Sequence, residues 1–192
     1  MSNGKRQAMS AANWIRAGYD AFHDGGVDAI AVERVAKRLS ATKGSFYWHF
    51  KDRESLVRAV LELWRAETEE IIDQLAAITE PRERLLRLFE LVTSQIPTDR
   101  SEIDLLARGD QPAVAAVLED VSRRRITFMS AAFREAGLRP VDADDAAVQA
   151  YALWIGLLQL QVNLPGTVPA GKDRDRFLRS TRELLGQLIP AP

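Results

Sequence analysis

AVERVAKRLSATKGSFYWHF, residues 31–50, reads as two short helices, Ala31–Leu39 and Thr42–His49, joined by a tight turn. Val35, Leu39 and Phe46 are apolar at offsets that let the helices clasp at a steep angle, and Ala36 is small where they cross. Such a clasp holds the second helix outward, where it can enter a DNA major groove. Its exposed face carries Thr42, Lys43, Ser45 and Trp48. Hydroxyl, cation and ring can meet base edges, thymine methyls and phosphates. Lys37, Arg38, Lys51 and Arg53 add cations suited to the sugar–phosphate backbone, although Lys37 and Arg38 would also serve as an ordinary solvated face. Phe46 and Phe50 belong to a core in any reading.

Around this stretch the periodicity is helical throughout, with breakers where helices should stop. A first helix is expected from about Gln7 to Asp24, ended by Gly25-Gly26. After the clasped pair, Asp52 is a good cap for a long helix reaching about Ala77, with Leu56, Val60, Leu63, Trp64, Ile71 and Leu75 on one stripe. Pro81 suits the first turn of a fifth helix that Pro97 ends, and Ser101–Arg108 forms a sixth. Asp110 is expected to cap a seventh, with Pro112 in its first turn and Gly137 and Pro140 as its stop. Asp142 is expected to cap an eighth, and a ninth covers about Asp173–Ile189. The fold class is therefore all-α, about nine helices, divided into a helix-turn-helix head (1–53) and a helical body (54–192).

Charge divides along the same line. Residues 1–53 hold nine Lys/Arg and five Asp/Glu, a net of +4, while the remainder is net −5. A basic head on an acidic body points to a polyanionic partner for the head alone. The 46% hydrophobic content supports a packed core. With no cysteine, disulfides, thiol catalysis and cysteine-ligated metals are excluded. Both histidines, His23 and His49, fall in the head, and no HExxH, P-loop, GxGxxG or GxSxG motif occurs. Asp142, Asp144 and Asp145 suit a helix N-terminus electrostatically. An enzyme is not expected, nor any cofactor or metal. The longest apolar run, Ala150–Leu158, is nine residues, against about 20 for a membrane span. No membrane partner is expected, and the location expected is cytoplasmic.

Residues from about 13 to 65 resemble the DNA-binding head of the TetR family of bacterial regulators. The likeness is carried by a helix ending in Gly-Gly, then VERVAKRL, TKGSFYWHF and KDRESLVRAV. The resemblance implies that Thr42–His49 is a recognition helix. It implies that Lys43 and Ser45 face bases or phosphates, that Tyr47 and His49 touch phosphate oxygens, and that Arg53 replaces a phosphate-binding lysine. Taken on its residue type, Tyr47 serves equally as core-edge packing. Two positions depart from the family pattern. Ile30-Ala31 stands where a capping threonine or serine is usual, and Ser40 where the turn usually has glycine. The DNA-facing set is thus Thr42, Lys43, Ser45, Tyr47, Trp48, His49, Lys51 and Arg53.

Resemblance further implies a double-stranded DNA operator, near-palindromic, bound by a homodimer that pairs through its eighth and ninth helices, and a small organic effector of unknown identity held in the body. The stripe Ala147, Ala150, Trp154, Leu157 with Phe177, Leu184 and Leu188 is apolar enough to supply the dimer interface, the alternative being the protomer's own core. Isolated polar groups and large rings among the body helices are candidate effector contacts: Trp64, Gln95, Arg108, Phe128, Gln149, Trp154 and Gln159. The function expected is a ligand-responsive repressor. The alternative is a helical ligand-binding or interaction protein whose head no longer reads DNA.

Overall fold

The computed structural model describes residues 9–95, 101–109, 111–164 and 166–190, with only the backbone at Gln95. Regular structure among them is entirely helical: α1 (Ala11–Gly25), α2 (Val32–Arg38), α3 (Lys43–Tyr47), α4 (Arg53–Ala76), α5 (Pro81–Gln95), α6 (Ser101–Ala107), α7 (Pro112–Glu135), α8 (Pro140–Asn163) and α9 (Arg174–Gly186), with 3₁₀ turns at Val27–Ala29 and Gly171–Asp173. The chain divides into two compact units, the first ending at Ala66 and the second beginning at Glu67, so the division falls inside α4.

In the first unit, α1 begins at Ala11, later than the expected Gln7. Ser10 and Asn13 close a capping box there: Asn13 N–H donates to Ser10 Oγ at 3.3 Å, and Ser10 N–H to Asn13 Oδ1 at 2.9 Å. Gly26, at φ 71°, stops the helix as its neighbourhood predicts, its N–H donating to the Phe22 carbonyl. Trp14, Phe22, Ile30, Val35, Phe46, Leu56 and Val60 are buried to within a few per cent, making this unit's core.

The second unit is built around α7 and α8, the most extensively packed helix pair. Ala143, Ala146, Ala147 and Ala150 on α8 let that helix approach closely, and Leu85, Phe89, Met129, Phe133 and Leu185 fill the space around them. A second cluster, Ile103, Trp154, Leu157, Leu158, Val168 and Leu178, joins α6, α8 and α9. Ile72 and Leu75 of α4 meet Phe128 of α7.

Pro81 and Pro112 open helices as expected. Pro140 does so too, rather than merely stopping α7: Arg139 is the cap residue of α8. Asp142 therefore lies in the first turn instead of at the cap, and pairs with Arg139 at 2.6 Å. Proline's fixed φ and missing N–H suit a helix start as well as they bar a helix interior, which is why one residue served both purposes. The expected roles of Pro97 and Asp110 lie outside the described residues. The α8 stripe Ala147, Ala150, Trp154 and Leu157 is buried within the protomer. The outward face is Val141, Asp145, Val148 and Ala152, continued by half-buried Ile155. Among the described residues no helix is long and apolar enough to cross a membrane.

Candidate DNA-binding face and effector cavity

The clasp between α2 and α3 is made as its residue pattern predicts. Phe46 is fully buried, edge-on to Trp14 at 5.4 Å and stacked on Phe50 at 5.5 Å. The turn closes through Ser40, whose φ of 51° places a non-glycine residue in the left-handed region. Ser40 N–H donates to the Lys37 carbonyl and Ala41 N–H to that of Ala36, at 3.1 and 2.9 Å. This Schellman pattern recurs at the end of α7, where Gly137 holds the left-handed position. Thr42 caps α3, accepting the Ser45 N–H at 3.2 Å.

Regular α3 spans Lys43–Tyr47, shorter than the expected Thr42–His49. Phe50 must return to stack on Phe46, and Asp52 already caps α4, accepting the Ser55 N–H at 2.8 Å. That bond holds the Asp52 carboxyl below its ordinary range. The chain therefore has no room for another helical turn.

Six of the eight residues read as DNA-facing lie exposed together around α3: Thr42, Lys43, Tyr47, Trp48, His49 and Lys51. Trp48 is 87% exposed, while Tyr47, 62% exposed, still packs its ring edge-on against Phe46 at 5.1 Å, the core-edge contact its residue type allows. Ser45 is half-buried. Lys43 is engaged in the protein itself, its Nζ 2.5 Å from Glu33 Oε1 on α2. The pairing raises the Lys43 pKa and lowers that of Glu33, each chiefly through their mutual hydrogen bond.

Arg53 has a different employment from the rest. Its Nε donates to the Ile30 carbonyl at 2.8 Å and its Nη2 to the Val27 carbonyl at 2.7 Å. The fork thereby ties the start of α4 to the turn that precedes α2, where Ala31 gives no side-chain cap. The absence of a hydroxyl at position 31 is readable in the sequence; the long-range bonds from Arg53 had no local signal.

In the second unit a cavity of about 70 Å³ lies among α4, α5, α7 and α8, with Leu185 of α9 closing one side. Ile71, Ile72, Leu75, Leu88, Phe89, Phe128 and Met129 make most of its wall apolar. Polar groups come from Thr68, Arg125 and Tyr151, beside Trp154. Arg125 Nη1 lies 2.7 Å from both oxygens of the Glu102 carboxylate, Nη2 donates to Thr68 Oγ1 at 3.3 Å, and the guanidinium sits over the Trp154 ring at 5.0 Å. Tyr151 Oη is 2.8 Å from Ser122 Oγ, and burial pushes its pKa up.

Of the seven candidate effector contacts, Phe128 and Trp154 line this cavity. Gln149 and Gln159 are exposed, Arg108 pairs with Asp104 of the preceding α6, and Trp64 is buried in the first unit. The Gln95 side chain lies outside the described residues. Thr68 and Arg125 were missed. Thr68 stands among Glu67, Glu69 and Glu70, and Arg125 ends a run of three arginines, so neither reads as an isolated polar group; what unites them is packing between helices far apart in sequence.

Comparison with known proteins bears on both units. Residues 15–60 match the profile of bacterial regulatory proteins, tetR family. Over 94% of this chain, the sequence is 30% identical to the HTH-type transcriptional regulator TtgR of Pseudomonas putida, covering 92% of that protein. A shorter match, 36% identical over 53 residues, 28% of this chain and 24% of its counterpart, joins it to the class A tetracycline repressor protein from transposon 1721 of Escherichia coli. In fold, it resembles the crystal structure of E. coli NemR in its reduced form, with a TM-score of 0.75 at 19% identity over 95% of this chain and 98% of that one. A TetR transcriptional regulator from Legionella pneumophila gives 0.75 at 15% identity over 99% of each.

Proposed function

The chain belongs to the TetR family of bacterial regulatory proteins and is a ligand-responsive, DNA-binding transcriptional repressor; from that premise we propose how its residues divide the work. The observation that carries the reading is the α3 surface: a capped helix on an aromatic core, with Thr42, Lys43, Tyr47, Trp48, His49 and Lys51 exposed together. Ser45 joins them at the rim. Lys43 reaches bases or phosphates only by loosening its contact with Glu33, and Tyr47, His49 and Lys51 meet the phosphates. Arg53 supports this surface by holding the Val27 and Ile30 carbonyls, and any phosphate contact it makes is secondary.

We infer a homodimer through α8 and α9, because one short helix reads too little DNA. The face that supports this is Val148, Ala152 and Ile155 on α8, with Leu184, 53% exposed, on α9. Phe177 and Leu184 also border a groove between those helices. The reading as a helical binding protein with an idle head is not favoured, since likeness to a transcriptional regulator runs through 94% of the chain. We take the protein to be non-catalytic and to work in the cytoplasm, beside its operator.

The effector site in this reading is the cavity of the second unit. Thr68, Ile71, Ile72 and Leu75 on its wall belong to α4, the helix that Asp52 caps. A ligand favouring a DNA-incompetent tilt of α4 shifts the population away from operator binding, to the extent of its differential affinity. The test is a duplex enriched from a random pool by the protein itself. Two half-sites with centres about 34–36 Å apart, filled by two protomers, are expected. A single half-site filled by a monomer contradicts the dimer.

A further inference from the structure

The cavity's charge balance goes further than its existence. Among the described residues, Arg125 is the one charged side chain on its wall. Its charge is met from behind by Glu102, which is 1% exposed and does not itself line the cavity. The Trp154 ring covers a face of the guanidinium. Tyr151 is the remaining ionisable group on the wall, and burial, with the nearby Glu102 charge, keeps its proton on.

We propose that this cavity takes an uncharged, largely apolar molecule carrying one hydrogen-bonding group, and that it rejects organic anions and cations of the same shape. The inference rests on the reading of the cavity as the effector site. An organic anion entering here finds a cation already neutralised. To pair with Arg125 it must displace a carboxylate that has almost no access to water. An organic cation meets Arg125 with like charge, and Glu102 is out of reach. Either ion is desolvated without a counter-charge, the costliest form of burial. A neutral molecule faces no such term. Its apolar part meets Phe128, Ile72 and Met129, while its polar group meets the Thr68, Arg125 and Tyr151 end. At about 70 Å³ the cavity suits a single small group as it stands, and the flexible Met129 can yield to a larger one.

Three one-ring probes of matched shape test this on the full chain by titration calorimetry and by the shift in melting temperature: benzamide, benzoate and benzamidinium. Benzamide is expected to bind at least about tenfold more tightly than either ion. In Glu102→Gln, which keeps the shape and removes the carboxylate charge held against Arg125, benzoate is expected to gain about tenfold or more on benzamide. Preference for either ion by the unaltered protein, no binding of benzamide up to its solubility limit, or an unchanged ranking in a folded Glu102→Gln variant overturns the proposal. Should that variant lose its helical circular dichroism, the ranking in the unaltered protein decides. The selected operator duplex separates this proposal from the one beneath it. Benzamide that binds without weakening the operator complex contradicts the sensing role and leaves the ligand class standing. Benzoate that binds preferentially and releases DNA does the reverse.

Discussion

The two units distribute their polar residues in opposite ways. In the first, exposed side chains on a twelve-residue stretch, Thr42–Arg53, share one surface because a single turn and one buried ring, Phe46, aim them. In the second, the polar groups that meet come from separate helices: Thr68 on α4, Glu102 on α6, Ser122 and Arg125 on α7, Tyr151 on α8. Local chain geometry organises one surface, and long-range packing organises the other. Substitutions in the first should therefore alter DNA binding with modest changes in stability, whereas substitutions in the second should first be felt as lost stability.

The largest expected effect breaks the second unit's cluster. Arg125→Leu takes the guanidinium away from the Glu102 carboxylate, which is 1% exposed, and should cost about 3–5 kcal/mol in chemical denaturation. Adding Glu102→Leu should recover most of that loss, since an apolar pair no longer strands a charge. If the single variant is as stable as the parent, the cluster does not organise this unit.

A smaller effect tests the exception in the first unit. Arg53→Lys keeps the charge and loses the fork that holds two carbonyls, so it should destabilise by about 1–2 kcal/mol. The salt dependence of DNA binding should scarcely move. An undiminished melting temperature with weakened DNA binding would return Arg53 to the phosphate-contacting set. Next comes Ser40→Gly, which relieves a left-handed serine and should stabilise by about 1 kcal/mol in the same melt. The gain is set against glycine's greater freedom in the unfolded chain, so a loss on substitution would mean that the serine hydroxyl has a partner role.

The difference between the units also explains what could be read in advance. Among the described residues, the helix count, the exposed positions around α3 and the buried Phe46 follow from spacing within a few turns. The hold of Arg53 on Val27 and Ile30 was not legible, because both partners are backbone carbonyls more than twenty residues back, and a carbonyl carries no side-chain signature. The α8 stripe was misread for another reason. That helix is apolar nearly all round, so one period fits Ala147, Ala150, Trp154 and Leu157 facing the protomer core, while another fits Val148, Ala152 and Ile155 facing away from it. Periodicity gives the spacing of a face and leaves its neighbour undecided. Gln149 and Gln159 went with the same error, since they lie off the buried stripe.

The finest test concerns Glu33. Its carboxylate holds Lys43 beside the exposed α3 surface. Glu33→Gln should release the lysine, strengthen binding to random duplex and steepen the salt slope by no more than about one ion. Unaltered affinity would mean that the ion pair opens freely on contact with DNA.

The central claim, that the α3 surface binds DNA through its own exposed groups, is met most directly by a salt titration of the full chain on random-sequence duplex, parent against Lys43→Ala. The parent's affinity should fall linearly with salt on logarithmic axes, and the variant's line should be lower and shallower by about 0.9 in slope, one phosphate's worth. Superimposable lines, or a parent that fails to bind duplex at low salt, would contradict it.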